Sequence, residues 1–429
     1  MDTQRQLISH LLRRAGFGAS PAELDQYVAL GYQGTLDRLL NFEQVPDSYP
    51  DYTPTDLDPK GRPKLEELQL WWVNRLLTTP RPLQEKMTLF WHGHFATADS
   101  KVHDAVWMYN QNQLFRQSAL GSFSTLLSGV SKDPAMMFWL DSQTNRKGSP
   151  NENYAREVME LFTMGIGNYT EQDVKEGARA LTGWALDRAS GTSRFVAQRF
   201  DNGVKNYLGH SGNLGLDDVV GILSASPNTA NFLATKLARF FISDSPDPAT
   251  VAAIAGTFSS ANGDMRQVMR TVLTSPAFQD PGSFMNKITS PVEYVITNMR
   301  LLGITSADKA VLQGLRTMGQ ELFNPPNVAG WPGGRSWLNT DTIFARLNFA
   351  DRLTSDRRTD APWYFDPQAV LNGATDAVGR FVELLTDGLL PDSNRQALQD
   401  YFAAPAKAAD SKLRGLLHLI LSTPTAHLS

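Results

Sequence analysis

Apolar residues return every three or four positions along most of this chain, the spacing of helices that bury one face. The clearest run is Leu65 to Leu77, apolar at 65, 68, 72, 73, 76 and 77. Leu7, Leu11 and Arg14 open an earlier amphipathic segment, and residues 83–91, 104–120 and 150–164 keep the same period. Ser20-Pro21-Ala22-Glu23 combines a hydroxyl cap, a proline in the first turn and a glutamate three residues on, which predicts a helix start. A further pattern recurs at Leu77-Thr78-Thr79-Pro80, Leu223 to Pro227, Leu273-Thr274-Ser275-Pro276 and Leu421-Ser422-Thr423-Pro424. Proline cannot continue one helix but opens the next well, so these read as helix corners. Three of the four lie beyond residue 220, predicting helical hairpins in the C-terminal half.

Two stretches break this texture. Residues 193–209 alternate apolar and polar positions before Asp201-Asn202-Gly203, which predicts a β-hairpin turning at Asn202-Gly203. Residues 323–341 hold three prolines, three glycines and two tryptophans, too many breakers for regular structure. Residues 43–63, rich in proline and aspartate, read as a long surface loop. The expected fold is mainly α: a large multi-helix assembly of helical hairpins with a small β-hairpin and long Pro/Gly/Trp-rich loops. No composition shift marks a linker, so residues 1–429 read as one large helical domain with a soft division near 190–215.

Composition narrows the partners. The 429 residues include 44 acidic and 40 basic side chains, a formal charge of -4. That balance argues against nucleic acid, whose partners carry a basic excess. No apolar run approaches the ~18 residues of a membrane helix. Cysteine is absent, which removes disulfides, thiol catalysis and cysteine-held metal. Met1 to His10 lacks the apolar core of a secretory leader. The protein is therefore expected in the periplasm or outside the cell if a leader has been removed, and in the cytoplasm otherwise.

Chemistry concentrates in three places. Trp91-His92-Gly93-His94-Phe95 ends a helix that begins near Pro82. Two imidazoles at this spacing fall on opposite sides of a helix but on one side of an extended segment, and Gly93 permits such a break. In that geometry His92 and His94 could hold a divalent metal ion, with Glu157 as a third ligand. Packing beside Trp91 and Phe95 is the plainer reading. The segment Asn151 to Met164 predicts a helix with Asn153, Glu157 and Glu160 on one face, bordering Tyr154, Val158 and Leu161. Carboxylates beside an apolar stripe can act as an acid/base pair, and a solvated face fits the spacing equally well. Glu152 and Arg156 flank them as an i, i+4 pair. The loop 323–341 presents Asn327, Trp331, Arg335, Trp337 and Asn339, a set that can stack on sugar rings and bond hydroxyls, or pin the loop to the core.

Two other motifs read as structural. Thr170 with Asp173 forms a capping box. Gly209-His210-Ser211-Gly212 and Gly215 feed a helix start without the spacing of a nucleotide loop, and Asp217 and Asp218 there compete with any anion.

Taken together, HLLRRAGFGASPAEL (10–24), LFWHGHFAT (89–97), NENYAREVMELFTMGIGNYTEQDVKEGARALTGW (151–184), KNYLGHSGN (205–213) and LFNPPNVAGWPGGRSWLNT (322–340) resemble the bacterial family catalogued as domain of unknown function 1800. The resemblance implies a large, mostly helical protein, often exported and often encoded beside sulfatase-like proteins, and it implies no reaction. Its pattern positions fall here on His92, His94, Asn151, Glu152, Arg156, Glu157, Glu160, Trp184, Asn327, Trp331 and Asn339. Where relatives commonly carry alanine, this chain has Gly177, which should loosen its helix slightly.

Two functions fit these residues. One is a hydrolase or lyase-type enzyme acting on a polysaccharide or cell-envelope polymer. Glu157, Glu160, His94, Glu152 and Arg156 would carry its catalysis, with or without a divalent metal on His92, His94 and Glu157. Asn327, Trp331, Arg335, Trp337 and Asn339 would bind substrate. The other is a non-catalytic binding or assembly protein, partnered for example with a sulfatase-like neighbour, in which the same groups form buried networks.

Overall fold

A computed structural model describes residues 2–355, 358, 359, 361–405 and 408–429. Helices dominate it: 22 α-helices and two two-stranded sheets among the described residues. The fold is mainly α, and no helix among the described residues is long and apolar enough to cross a membrane.

The start signals work as the sequence implies. Ser20 and Glu23 close a reciprocal capping box on the helix Pro21–Leu40, which kinks at Gly31 (φ 69°). Ser226 and Ser275 cap the helices Pro227–Phe241 and Pro276–Gln279. The other two corners differ. After Pro80 the next helix begins at Pro82, with the Thr79 hydroxyl accepting the Arg81 N–H. Pro424 opens only a short 3-10 turn with no side-chain cap.

The expected hairpin at Asn202-Gly203 is replaced by two others. Thr192–Phe195 pairs backwards with Trp184–Asp187. Lys205–Tyr207 pairs forwards with His210–Gly212 across Leu208-Gly209. Both turn residues there take positive φ (49° and 83°), as a tight hairpin turn requires. Asn202-Gly203 is tied elsewhere: Asp201 accepts the Gly203 N–H and pairs with Arg179 at 2.8 Å, fixing this turn to the helix Glu171–Ala180.

The expected helix 151–164 is shorter, Asn153–Glu160. The Asn151 side chain accepts the Asn153 N–H at its start. At its end the Met164 and Gly165 N–H groups wrap back onto the Met159 carbonyl, and Gly165 and Gly167 take positive φ. Gly177 has a packing reason: a β-carbon there would lie 2.8 Å from the ring of Tyr207, which is fully buried.

Buried apolar side chains form two cores. The first gathers the N-terminal hairpin and residues from Phe115 to Phe278. The second gathers the helix Leu65–Thr78 and residues from Val292 to Leu421. The chain crosses between them more than once, so the seam is not a break in the sequence. The helix Pro82–His94 spans it, giving Phe90 and Trp91 to the first core and Leu89 to the second. Phe240 packs against both.

Candidate functional site

The helix Pro82–His94 is buried on nearly every side, so its polar residues need partners within the protein. Glu85 sits between Arg75 and Arg116, 2.6 Å from each, and accepts the Trp72 indole N–H. Burial would raise its carboxyl, but the two guanidinium groups outweigh that and hold it down at about 2. Lys86 pairs with Glu293 at 2.6 Å and donates to the Gly16 carbonyl at 2.9 Å. Burial brings its pKa down to about 8.

Both histidines lie inside this helix, not on an extended break, so they diverge. His92 Nε2 accepts the Phe323 N–H at 3.0 Å, and its ring packs against Trp72, Phe323 and Trp331. Burial depresses its pKa to about 3, so it is neutral. His94 reaches the other core. Its Nε2–H donates to the Phe162 carbonyl at 2.9 Å, which leaves Nδ1 bare to accept from Lys236 Nζ at 3.2 Å. Burial first, and then the Lys236 charge, keep His94 neutral as well. Ring nitrogens already bonded in this way are poor metal ligands. Among the described residues no three His, Asp or Glu side chains gather as a metal site would need, so His92, His94 and Glu157 do not converge on one ion.

What does converge is a cleft of about 460 Å³ at the seam of the two cores. Phe90, Gly93 and His94 line one wall; Lys236, Arg239 and Phe240, from the helix Pro227–Phe241, line the next. Asp244, Lys287, Ser290, Glu293 and Gln320 form the floor side, and residues 329–337 close it. The closing loop is held tightly. Gly330 (φ 79°) lies so close to Gly93 that a β-carbon would come within 2.3 Å of the Gly93 carbonyl oxygen. Trp331 is half-buried over His92, and Trp337 is buried, while Arg335 is exposed.

The charges are unequal. Four cationic side chains, Lys236, Arg239, Lys287 and Arg335, share the lining with two carboxylates, Asp244 and Glu293. Glu293 is already answered by Lys86, with Lys287 at 3.7 Å, and its carboxylate also accepts the Ser290 N–H at 2.8 Å. Although burial opposes it, Lys287 and Lys86 hold the Glu293 carboxyl well below the usual range. Lys236 has no carboxylate within ion-pair distance among the described residues. It donates to His94 and to the Leu161 carbonyl at 3.3 Å and lies over the Phe232 ring. Burial lowers its pKa to about 8.

Of the residues singled out from sequence, His94, Trp331, Arg335 and Trp337 line this cleft. Asn327 and Asn339 turn their side chains onto nearby backbone, accepting the Ala329 and Thr342 N–H groups at 2.9 Å. The acidic helix stands outside the lining. Glu152 is exposed, Arg156 makes a bidentate pair with Glu171, and Glu160 accepts the Tyr169 hydroxyl. Glu157 is half-buried; burial and then the neighbouring Glu160 raise its carboxyl above the usual range.

Sequence reasoning did not find Lys236, Arg239, Asp244, Lys287 or Glu293. Ser290-Pro291-Val292-Glu293 repeats the start signature of residues 20–23, and Lys236 and Arg239 stand i, i+3 on an otherwise apolar run. Nothing local says that these segments meet.

Fold and site thus define a mainly helical protein with a basic, aromatic cleft between two cores. The chain belongs to the family of proteins of unknown function DUF1800, whose family model matches residues 10–428. No curated protein and no solved structure matches it.

Proposed function

We propose that the seam cleft binds an acidic saccharide segment of a polysaccharide or cell-envelope polymer. The observation that carries this reading is the cationic lining: four basic side chains face two carboxylates, and one of those carboxylates is already neutralised by Lys86. Unanswered cations in a concave site favour an anion, and low-dielectric walls strengthen that preference. Trp331 and Phe240 supply ring faces on which a pyranose can stack. The chain as a whole is slightly acidic, so the basic cleft is a local property of this surface.

Within this reading Arg239 and Arg335, at the exposed rim, fork onto the carboxylate or sulfate groups of the ligand. His94 orients Lys236 at the inner wall, and Trp331 carries the sugar face. Titration calorimetry with acidic oligosaccharides, and with neutral ones of equal length, tests the proposal. The acidic set is expected to bind with an affinity that falls as salt rises. Equal binding of neutral sugars, or binding unchanged in Arg239→Ala/Arg335→Ala, would refute it.

A further inference from the structure

Lys236 is placed unlike the other cations of the cleft. Lys287 touches Glu293 and the two arginines are exposed, whereas Lys236 is half-buried with no carboxylate within ion-pair distance among the described residues. Its nitrogen instead meets two acceptors. One is the Leu161 carbonyl. The other is His94 Nδ1, which is an acceptor because the opposite ring nitrogen gives its proton to the Phe162 carbonyl. Lysine nitrogen is tetrahedral, with one bond to its own chain. Two acceptors take two N–H groups, and one position remains. In the ammonium that position is a third N–H. In the neutral amine it is the lone pair, and the two hydrogen bonds to the protein are kept in both states. Lys236 also lines the cleft, so a ligand seated there lies beside this side chain.

Resting on the acidic-saccharide reading, we infer that Lys236 is the proton acceptor of a β-elimination that cleaves a uronate-containing chain in this cleft. Arg239 or Arg335 at the rim neutralises the uronate carboxylate and so acidifies the C–H beside it. The Lys236 amine removes that proton. The electron pair of the broken C–H bond becomes the new C=C bond, and the β C–O bond to the next sugar breaks with its pair leaving on oxygen. The ammonium's proton, directly or through solvent, then neutralises the departing alkoxide. One chain yields two, no water is consumed and no oxidant is needed. The cleft suits this step better than hydrolysis by paired carboxylates, because Glu293 is bound up with Lys86 and only Asp244 remains.

Around Lys236 the charged groups of the cleft are Arg239, Asp244, Lys287, Glu293 and Arg335, with neutral His94 in contact. Neither Asp244 nor Glu293 makes an ion pair with it among the described residues. The rate should therefore rise as pH passes through about 8, where the amine loses its proton, while binding of the acid weakens.

The test incubates the full-length protein with polygalacturonate, alginate and hyaluronan, beside dextran sulfate and dextran. Product is followed by the ultraviolet absorbance of the conjugated carboxylate and by mass. Elimination on a uronan is expected, with Lys236→Met losing about 10²–10⁴-fold in rate at saturating polymer, beyond the weaker binding that removal of one cleft cation brings. Lys236→Arg should bind but not cleave near neutral pH. Uronan that is bound but uncleaved, hydrolysed with addition of water, or cleaved equally by Lys236→Met overturns this inference and leaves the binding proposal standing. Failure of every acidic polymer to bind overturns both. A substrate-free measurement runs beside it: carbon and nitrogen NMR of biosynthetically isotope-labelled lysines with unmodified amines, assigned by Lys236→Arg. A Lys236 signal titrating near 8 supports the role, and one titrating as an ordinary surface lysine overturns it.

Discussion

On the helices Asn153–Glu160 and Glu171–Ala180, charged side chains find one another. Arg156 grips Glu171, Arg179 bridges Glu176 and Asp201, and Glu160 takes the Tyr169 hydroxyl. In the seam cleft the opposite holds: Lys236, Arg239 and Arg335 face open space and make no ion pair among the described residues. Both regions are studded with charge. The difference is where the counter-charge resides, in the protein for one and in a ligand for the other. Side-chain spacing reports which residues share a face, and it is silent on that question.

The comparison can be broken at several points. The largest effect is expected from Glu293→Gln, which leaves buried Lys86 and Lys287 without their shared carboxylate. Loss of one partner from a buried pair costs about 3–5 kcal/mol, read from denaturant midpoints. An unchanged midpoint would mean that the cleft cations need no internal anchor. Gly330→Ala comes next. Its β-carbon cannot fit against the Gly93 carbonyl, so the closing loop must shift. Strain of about 1–3 kcal/mol is expected, together with weaker saccharide binding in calorimetry.

Arg239→Ala and Arg335→Ala should each weaken acidic-ligand binding by about tenfold, and should flatten its salt dependence. Thermal stability should barely move, since both side chains are exposed. The titration of Lys236 gives a further handle. Its folded pKa lies near 8, below the ordinary 10.5, so between these values the unfolded chain holds the extra proton. Stability attributable to Lys236 therefore rises with pH across that window, and Lys236→Met should lose that slope in pH-dependent melts. The smallest effect belongs to the acidic helix. Arg156→Ala removes a largely exposed pair, worth less than about 1 kcal/mol, and should leave cleft binding untouched. A large loss of binding would show that the two regions act together.

Much of the fold was legible because helix starts are local. Ser20 to Glu23 and Thr170 to Asp173 each carry their own instructions in four residues. The hairpins were not, because Asn202-Gly203 competes with Asp201, whose partner Arg179 lies 22 residues away. The candidate site divides along the same line. His94, Trp331, Arg335 and Trp337 stood out by residue type, and they meet. Lys236 and Glu293 stood in ordinary helical patterns, and only the stacking of helices brings them to one cleft. Divergence of His92 and His94 followed from a helix that Gly93 does not interrupt.

That divergence has a mechanical consequence. Each helical residue turns the side chain by about 100°, so positions two apart face nearly opposite ways. One imidazole is bolted to Phe323 and the other to Phe162, in different halves of the molecule. The Trp-His-Gly-His segment is therefore a gauge block between those halves. Rotate the halves, or insert one residue between the two rings, and one bolt must come undone.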